Sequence, residues 1–328
     1  MKLLRTIYSF ILMSTFLVGC NIDDDLADCP APPADGEVIL RFDYPYNGSK
    51  ATFLNRISRV NVGIYRMDGT LVESRQIDKD SLVVDSITDP FGDVTYYPGM
   101  KTRLPMGNYR ATFWGNAYDK TKIDWEVREV YNSHLFDEQV RIASDDSLTY
   151  ANVQIEVVAD TNRALVHFEP AHINLEVAVI DDAGVFPEMS SVTRTDEIPF
   201  VSINHLPGEV YDFDMKDIDT AERNFYPTWE PQIEPQARAR RIFVSRTSVH
   251  RMDNDNPVVI NLVDNTKQDH ILATTVLKDY INDHPDFRIE SQKEITIYVT
   301  YQLKKEGQDV VVTVSPLPWK ELVVTPNT

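Results

Sequence analysis

From Glu37 onward, apolar side chains fall at every second position over stretches of strand length. Val38, Leu40, Phe42 and Tyr44 share one face, with Arg41 and Asp43 on the other. Val60, Val62 and Ile64 repeat the pattern, and Asp68-Gly69 supplies a hairpin turn into Leu71–Ile77. Tyr109, Ala111 and Phe113 oppose Arg110, Thr112 and Trp114, and Val153, Ile155 and Val157 follow. A period of two is the signature of a strand with one face buried. No alternation of strand and helix appears before residue 160, so the strands are expected to pair antiparallel. The polar run Asp160-Thr161-Asn162 is the expected domain boundary.

A second series follows it: Ile173, Leu175, Val177 and Val179; Phe200–Ile203; Val210–Phe213; Ile242–Val244; Val258–Leu262. Ile295, Ile297, Val299 and Tyr301 alternate, and Val310–Val314 returns after a turn at Gly307. Residues 214–236, rich in Asp, Pro and aromatics, predict a long loop. Leu272, Val276 and Tyr280 recur every four residues, which predicts a helix over Ile271–Asn282, closed by His284-Pro285. Leu322-Val323-Val324 predicts a last strand. The fold class is therefore all-β: two antiparallel β-sandwiches, residues 37–160 and 161–328, with one short helix in the second.

The first 36 residues follow other rules. Lys2 and Arg5 form a basic head, and Thr6–Gly19 is a mostly apolar run too short for a hydrocarbon core, which needs about 20 residues. That is the layout of a secretory signal, residues 1–19, and not a fold element. Leu17-Val18-Gly19-Cys20 resembles a bacterial lipobox, in which Cys20 becomes the first mature residue and carries acyl chains on its sulfur and amine. Each buried methylene contributes about 0.8 kcal/mol, so several chains anchor a protein without a spanning helix. Residues 20–36 read as a tether. Asp23, Asp24, Asp25 and Asp28 repel one another, and Pro30, Pro32 and Pro33 favour extended backbone. The acidic run just behind the cysteine also resembles a surface-export signal of anaerobic Gram-negative bacteria.

Charge narrows the partners. Lys and Arg number 32 against 51 Asp and Glu, a net charge of −19. Such a surface repels phosphate backbones, so nucleic acid is not an expected partner. Only two cysteines are present; with Cys20 lipidated, Cys29 is expected to be a free thiol.

Enzyme signatures are missing: no His-Glu-x-x-His, no Gly-x-Ser-x-Gly and no phosphate loop. His167 and His172 flank Pro170 and read as strand residues, not metal ligands. Asp253-Asn254-Asp255-Asn256 offers oxygen ligands, but the sixth and twelfth positions are Val258 and Asp264 where a calcium loop needs Gly and Glu. No catalytic residue, cofactor or metal is expected. Trp114, Trp125, Trp229 and Trp319 could stack on sugars, with Trp114 the best candidate, which makes a surface glycan-binding lipoprotein the alternative function. Arg238, Arg240 and Arg241 form a basic cluster, read as a solvated strand end or a protease-processing site. Four short Asp-Ser/Thr-apolar tripeptides, such as Asp80-Ser81-Leu82, resemble an O-glycosylation pattern of the same bacteria.

Asp24-Asp25-Leu26-Ala27-Asp28-Cys29-Pro30 behind the lipobox, Val60–Tyr65 leading to Asp68-Gly69, and Pro105–Tyr109 leading to Phe113-Trp114-Gly115-Asn116 stand in a characteristic order. That order resembles the FimB-type family of lipidated, fimbrillin-associated anchor subunits. The resemblance implies transthyretin-like sandwiches, attachment to the outer membrane through the lipid, and fimbrial shaft subunits (fimbrillins) as partners. It further implies a role at the base of a donor-strand (type V) fimbria, whose length the subunit limits. Trp319, Leu322 and Val324, which follow Pro316 and Pro318, are the candidate strand-exchange contacts; the alternative is that this segment completes the second sandwich.

Overall fold

The computed structural model describes residues 35–45, 52–134, 142–186, 200–206, 210–216, 223–229, 241–264, 270–290 and 293–324. Cys20, Cys29, Arg238 and Arg240 lie outside the described residues.

The expected all-β architecture is what forms. In the first half, β1 (Asp35–Asp43) pairs with β5 (Val94–Pro105), which pairs with β4 (Val83–Thr88). The facing sheet contains β2 (Arg59–Arg66), β3 (Leu71–Asp78), β6 (Gly107–Gly115) and β9 (Thr149–Val157), in the order β9-β6-β2-β3. The alternation read from sequence decides the inner faces. Val38, Leu40 and Phe42 meet Val60, Val62, Ile64, Ala111 and Phe113 in one core, and every one is buried. A short helix, α1 (Thr52–Arg56), adds Phe53 to an aromatic cluster with Phe42 and Phe168, ring centroids 5.3–5.5 Å apart.

The predicted boundary at 160 needs correction. Asp160-Thr161-Asn162 forms the turn between β9 and β10 (Thr161–His167), and β10 returns into the first sheet, parallel to β1 from Glu37↔Thr161 to Asp43↔His167. The first sandwich continues through β11 (Glu169–Pro170), which pairs with the start of β9. The turn is polar because Asn162 holds it: its Oδ1 accepts the Val158 and Ala159 amides, and its Nδ2 donates to the Ala159 carbonyl. A polar break thus marks a reversal of the chain as readily as a domain boundary.

The second sandwich starts with β12 (His172–Asp181), buried on both faces. It lies between β16 (Ile242–His250), antiparallel, and β19 (Thr296–Glu306), parallel; β20 (Asp309–Ser315) closes that sheet. Parallel pairs at β1–β10 and β12–β19 depart from the purely antiparallel expectation. Each joins strands whose connection crosses to the other sheet and back, which period-two patterning does not reveal. The facing sheet has the order β15-β13-β17-β18, formed by β13 (Phe200–Leu206), β15 (Arg223–Phe225), β17 (Val259–Asp264) and β18 (His270–Val276). β15 lies inside the stretch predicted as loop.

Two further readings change. The helix predicted over Ile271–Asn282 occupies only α2 (Leu277–Asp283); residues 270–276 are β18, paired with β17. Thr274, Thr275 and Val276 are β-branched and gain more on a pleated ladder than in a helix. The final strand predicted at Leu322–Val324 is instead helix α3 (Trp319–Val324). Pro318 precedes it, and Trp319 is buried against Ala178, Ile180, Ile242 and Val244 on the outer face of the β12–β16 pair. The tryptophan seals an apolar patch that the core cannot reach, so burial of one ring outweighs the β propensity of three aliphatic residues. Trp319→Ala should therefore lose about 3–5 kcal/mol of stability in denaturant unfolding, despite lying outside both sandwich cores.

Candidate functional site

The sheet β9-β6-β2-β3 has a second apolar side. Gly63 and Trp114 lie on its outer face, where alternation predicted solvent. A hairpin, β7 (Thr121–Asp124) and β8 (Glu129–Asn132), folds over that face. Gly63 makes this possible: a Cβ there would come within 2.5 Å of the Trp125 ring, so only glycine lets the indole lie against the sheet. β8 then pairs with β14 (Val210–Asp212), a strand from the second half of the chain, through Val210↔Tyr131 and Asp212↔Glu129. Three strands thus bridge the two sandwiches.

A third apolar cluster lies beneath this bridge: Tyr65, Trp114, Leu148, Ala171, Tyr211 and Phe213. Trp114 is 0% exposed, which removes it as a stacking platform for sugars. Phe213 reaches over it, and their rings stand 6.0 Å apart with 61° between their planes. Trp229 is half-buried against Phe243, with 5.7 Å between centroids. Trp114 thus offers no ring face to a sugar, while Trp229 keeps only part of its surface in solvent.

Polar groups pin the same junction. The Asp145 amide donates to the Ser248 carbonyl at 2.8 Å, and its carboxylate accepts the His250 amide and the Asn132 side chain. Arg251 donates from its backbone to Ala171 and from its guanidinium to the Pro170 carbonyl, 2.7 Å away. Tyr44, at the end of β1, donates to Glu294 at 2.6 Å, and burial together with that carboxylate holds the phenol far above its ordinary pKa. Tyr150 donates to the Phe213 carbonyl, and burial pushes its pKa up to about 12. His172 is buried with Nδ1 2.7 Å from the Leu148 carbonyl. His167 pairs instead with Asp43 on the neighbouring strand. Asp253–Asn256 form a tied turn, Asn256 accepting the Asp253 amide and Asn254 bracing Ile289 from both ends of its amide.

The second sandwich ends in an open edge among the described residues. β20 pairs only with β19, and β18 only with β17. The Tyr301 hydroxyl on β19 reaches Thr275 on β18 and the Ile260 carbonyl on β17, which places both edges on the same side of the sandwich. Val312 packs on the core from β20, and Val310 and Val314 share its face by alternation. Yet Val310 is 38% and Val314 41% exposed, so the core-facing side of this edge is incompletely covered. Sequence reading assigned exchange contacts to Trp319, Leu322 and Val324 instead. The structure places these positions on the helix α3 and not on a strand. Position along the chain had suggested them; an exposed valine on a core-facing register is visible only once sheet order is known.

Burial lowers the pKa of His172, overcoming the opposing carbonyl contact. The unfolded chain takes up this proton near pH 6.5 and the folded chain does not. The contribution of His172 to stability is therefore complete above about pH 6.5 and is lost as pH falls from there through the folded value. Thermal unfolding between pH 8 and 5 should show a fall in Tm that His172→Gln makes shallower.

The family described as fimbrillin-A associated anchor proteins Mfa1 and Mfa2 matches residues 26–324. No curated protein sequence matches. Among solved structures, a candidate adhesin from Bacteroides ovatus superposes with a TM-score of 0.61 at 12% identity, over 88% of this chain and 95% of that one. One from Bacteroides thetaiotaomicron gives 0.59 at 15%, over 87% and 97%. The fimbrial anchor protein Mfa2 from Porphyromonas gingivalis gives 0.54 at 12%, over 86% and 98%. At such identities the structural likeness is one of fold, whereas the family match runs through nearly the whole described chain. The chain belongs to the family of fimbrillin-A associated anchor proteins.

Proposed function

We propose that this protein is a lipid-anchored fimbrial subunit that holds the base of a donor-strand fimbria at the outer membrane and limits its length. Family membership over residues 26–324 is the observation that carries this reading. The lipobox supplies the foot: an acylated Cys20 fixes one end of the assembly in lipid, and a subunit fixed in lipid ends the polymer there. Two sandwiches, which meet between β11 and β12, supply the body. The role asks for stiffness and partner contact, and the bridged junction provides the first.

Partner contact is assigned to the β18–β20 edge of the second sandwich. An edge strand offers unpaired N–H and C=O groups, and pockets beside alternate positions read the side chains of an added strand. Val310 and Val314 stand at such positions, half-covered. With α3 wound and docked through Trp319, this chain accepts a strand from a shaft subunit and does not donate its own terminus. Its partners are thus shaft fimbrillins, and it has no catalytic function.

Two measurements test the two ends of this reading. Labelling producing cells with a palmitate analogue should mark the wild type and not Cys20→Ala, which should leave the membrane fraction; equal labelling of both would refute the lipid foot. The double variant Val310→Lys/Val314→Lys should keep its melting profile yet recover at least about tenfold less shaft subunit in co-purification, since each charge must be desolvated to seat a strand. Unchanged recovery would place the contact elsewhere.

A further inference from the structure

A cleft of about 240 Å³ opens on the outer side of the first sandwich, at the edge of the junction. Arg66 and Met67 reach it from the β2–β3 turn, Arg110 from β6, and Val127 and Arg128 from the β7–β8 turn. Asp212 and Asp214 close the far wall. Arg110 is paired with Asp214. One oxygen of Asp212 accepts the amides of Asp214 and Lys216. Outside the lining, Asp68 is held by the Thr70 amide and also feels the charge of Arg66, which helps to lower its pKa, and Asp124 is held by the amides of Glu126 and Val127. Arg66 and Arg128 form no ion pair with a described carboxylate. Three guanidiniums against two carboxylates make the lining locally positive on a chain whose net charge is −19. The rim is apolar and open, with Met67 61% and Val127 59% exposed.

We propose that the occupant of this cleft is the chain's own acidic stretch, Asp23–Asp28, which lies outside the described residues. Three observations converge on it. The first is position. Asp35, where the described chain begins, pairs with Pro105. Two residues further on, at Gly107, β6 begins in the facing sheet, and its Tyr109 pairs with Arg66. The start of β1 and the mouth of the cleft therefore share one end of the sandwich, about 15–20 Å apart by sheet and strand spacings. Asp28 and Asp25 lie seven and ten residues before Asp35, an extended reach of about 24 and 34 Å.

Charge and pattern are the second and third. The stretch carries four aspartates and no basic residue. Arginine forks match carboxylates in pairs, and Arg66 and Arg128, neither in direct contact with a described carboxylate, are the available partners. Leu26 sits between Asp25 and Asp28, so an apolar side chain can cover the Met67–Val127 rim while acids on either side meet Arg66 and Arg128. Covalent attachment raises the local concentration of the stretch to the millimolar range, above that of a free acidic ligand. Docking would shorten the leash between residue 20 and β1, and so restrict how far the body swings on its attachment. The contact itself does not depend on lipid at Cys20.

Cys29, directly after Asp28, allows a test with one substitution. Met67→Cys in the full-length chain, isolated from producing cells, places a second thiol on the cleft's rim. A short bis-maleimide should then join the peptide holding Cys29 to the peptide holding position 67, read by mass spectrometry. The yield should fall about fivefold when NaCl is raised from 0.15 to 1 M, where the Debye length shrinks from about 8 to 3 Å. It should fall similarly in Met67→Cys/Arg66→Ser/Arg128→Ser, checked as folded by its melting curve. No crosslink, or a yield indifferent to both salt and the arginines, would overturn the proposal. The salt series keeps the test decisive even should the triple variant misfold.

Discussion

The structure depends on burial of a sheet face that a lone sandwich would leave in water. The outer side of β9-β6-β2-β3 carries Tyr65, Trp114 and Tyr150, and it is the second half of the chain, through Tyr211 and Phe213, that covers them. Neither half could expose these rings at low cost, since each fully buried aromatic contributes roughly 1.5–3 kcal/mol through area alone. The β8–β14 pairing then adds a shared ladder to the shared core. A junction with both features resembles a domain interior more than a hinge, which would suit the anchoring role proposed for this chain.

Polar chemistry at the junction follows from the same burial. Asp145, His172 and His250 are all nearly inaccessible, and Arg251 spends its donors on backbone carbonyls at the meeting of the two sandwiches. Buried groups of this kind hold one geometry well and tolerate protonation changes poorly. Their arrangement accounts for titratable residues gathered at one place in a protein whose family role is structural. Among the described residues, the second sandwich keeps an unpaired edge at β18 and β20.

Sequence alone determined the class of fold, the inner faces of nearly every strand, the Asp68-Gly69 turn and the family, because these rest on short-range signals. Alternation fixes which face of a strand is apolar, Gly69 accepts its positive φ of 88° without strain, and motif order needs no geometry. Tertiary structure decided what depends on pairing between distant segments. β10 joined the first sandwich and not the second. Residues 270–276 became a strand because β17 offered an edge, and residues 319–324 became a helix because one tryptophan had an outer patch to cover. Trp114, read as a surface ring, was buried by residues about a hundred positions away. Local pattern states how much apolar surface a segment carries; only the packed chain states which surface comes to meet it, because burial is a property of pairs.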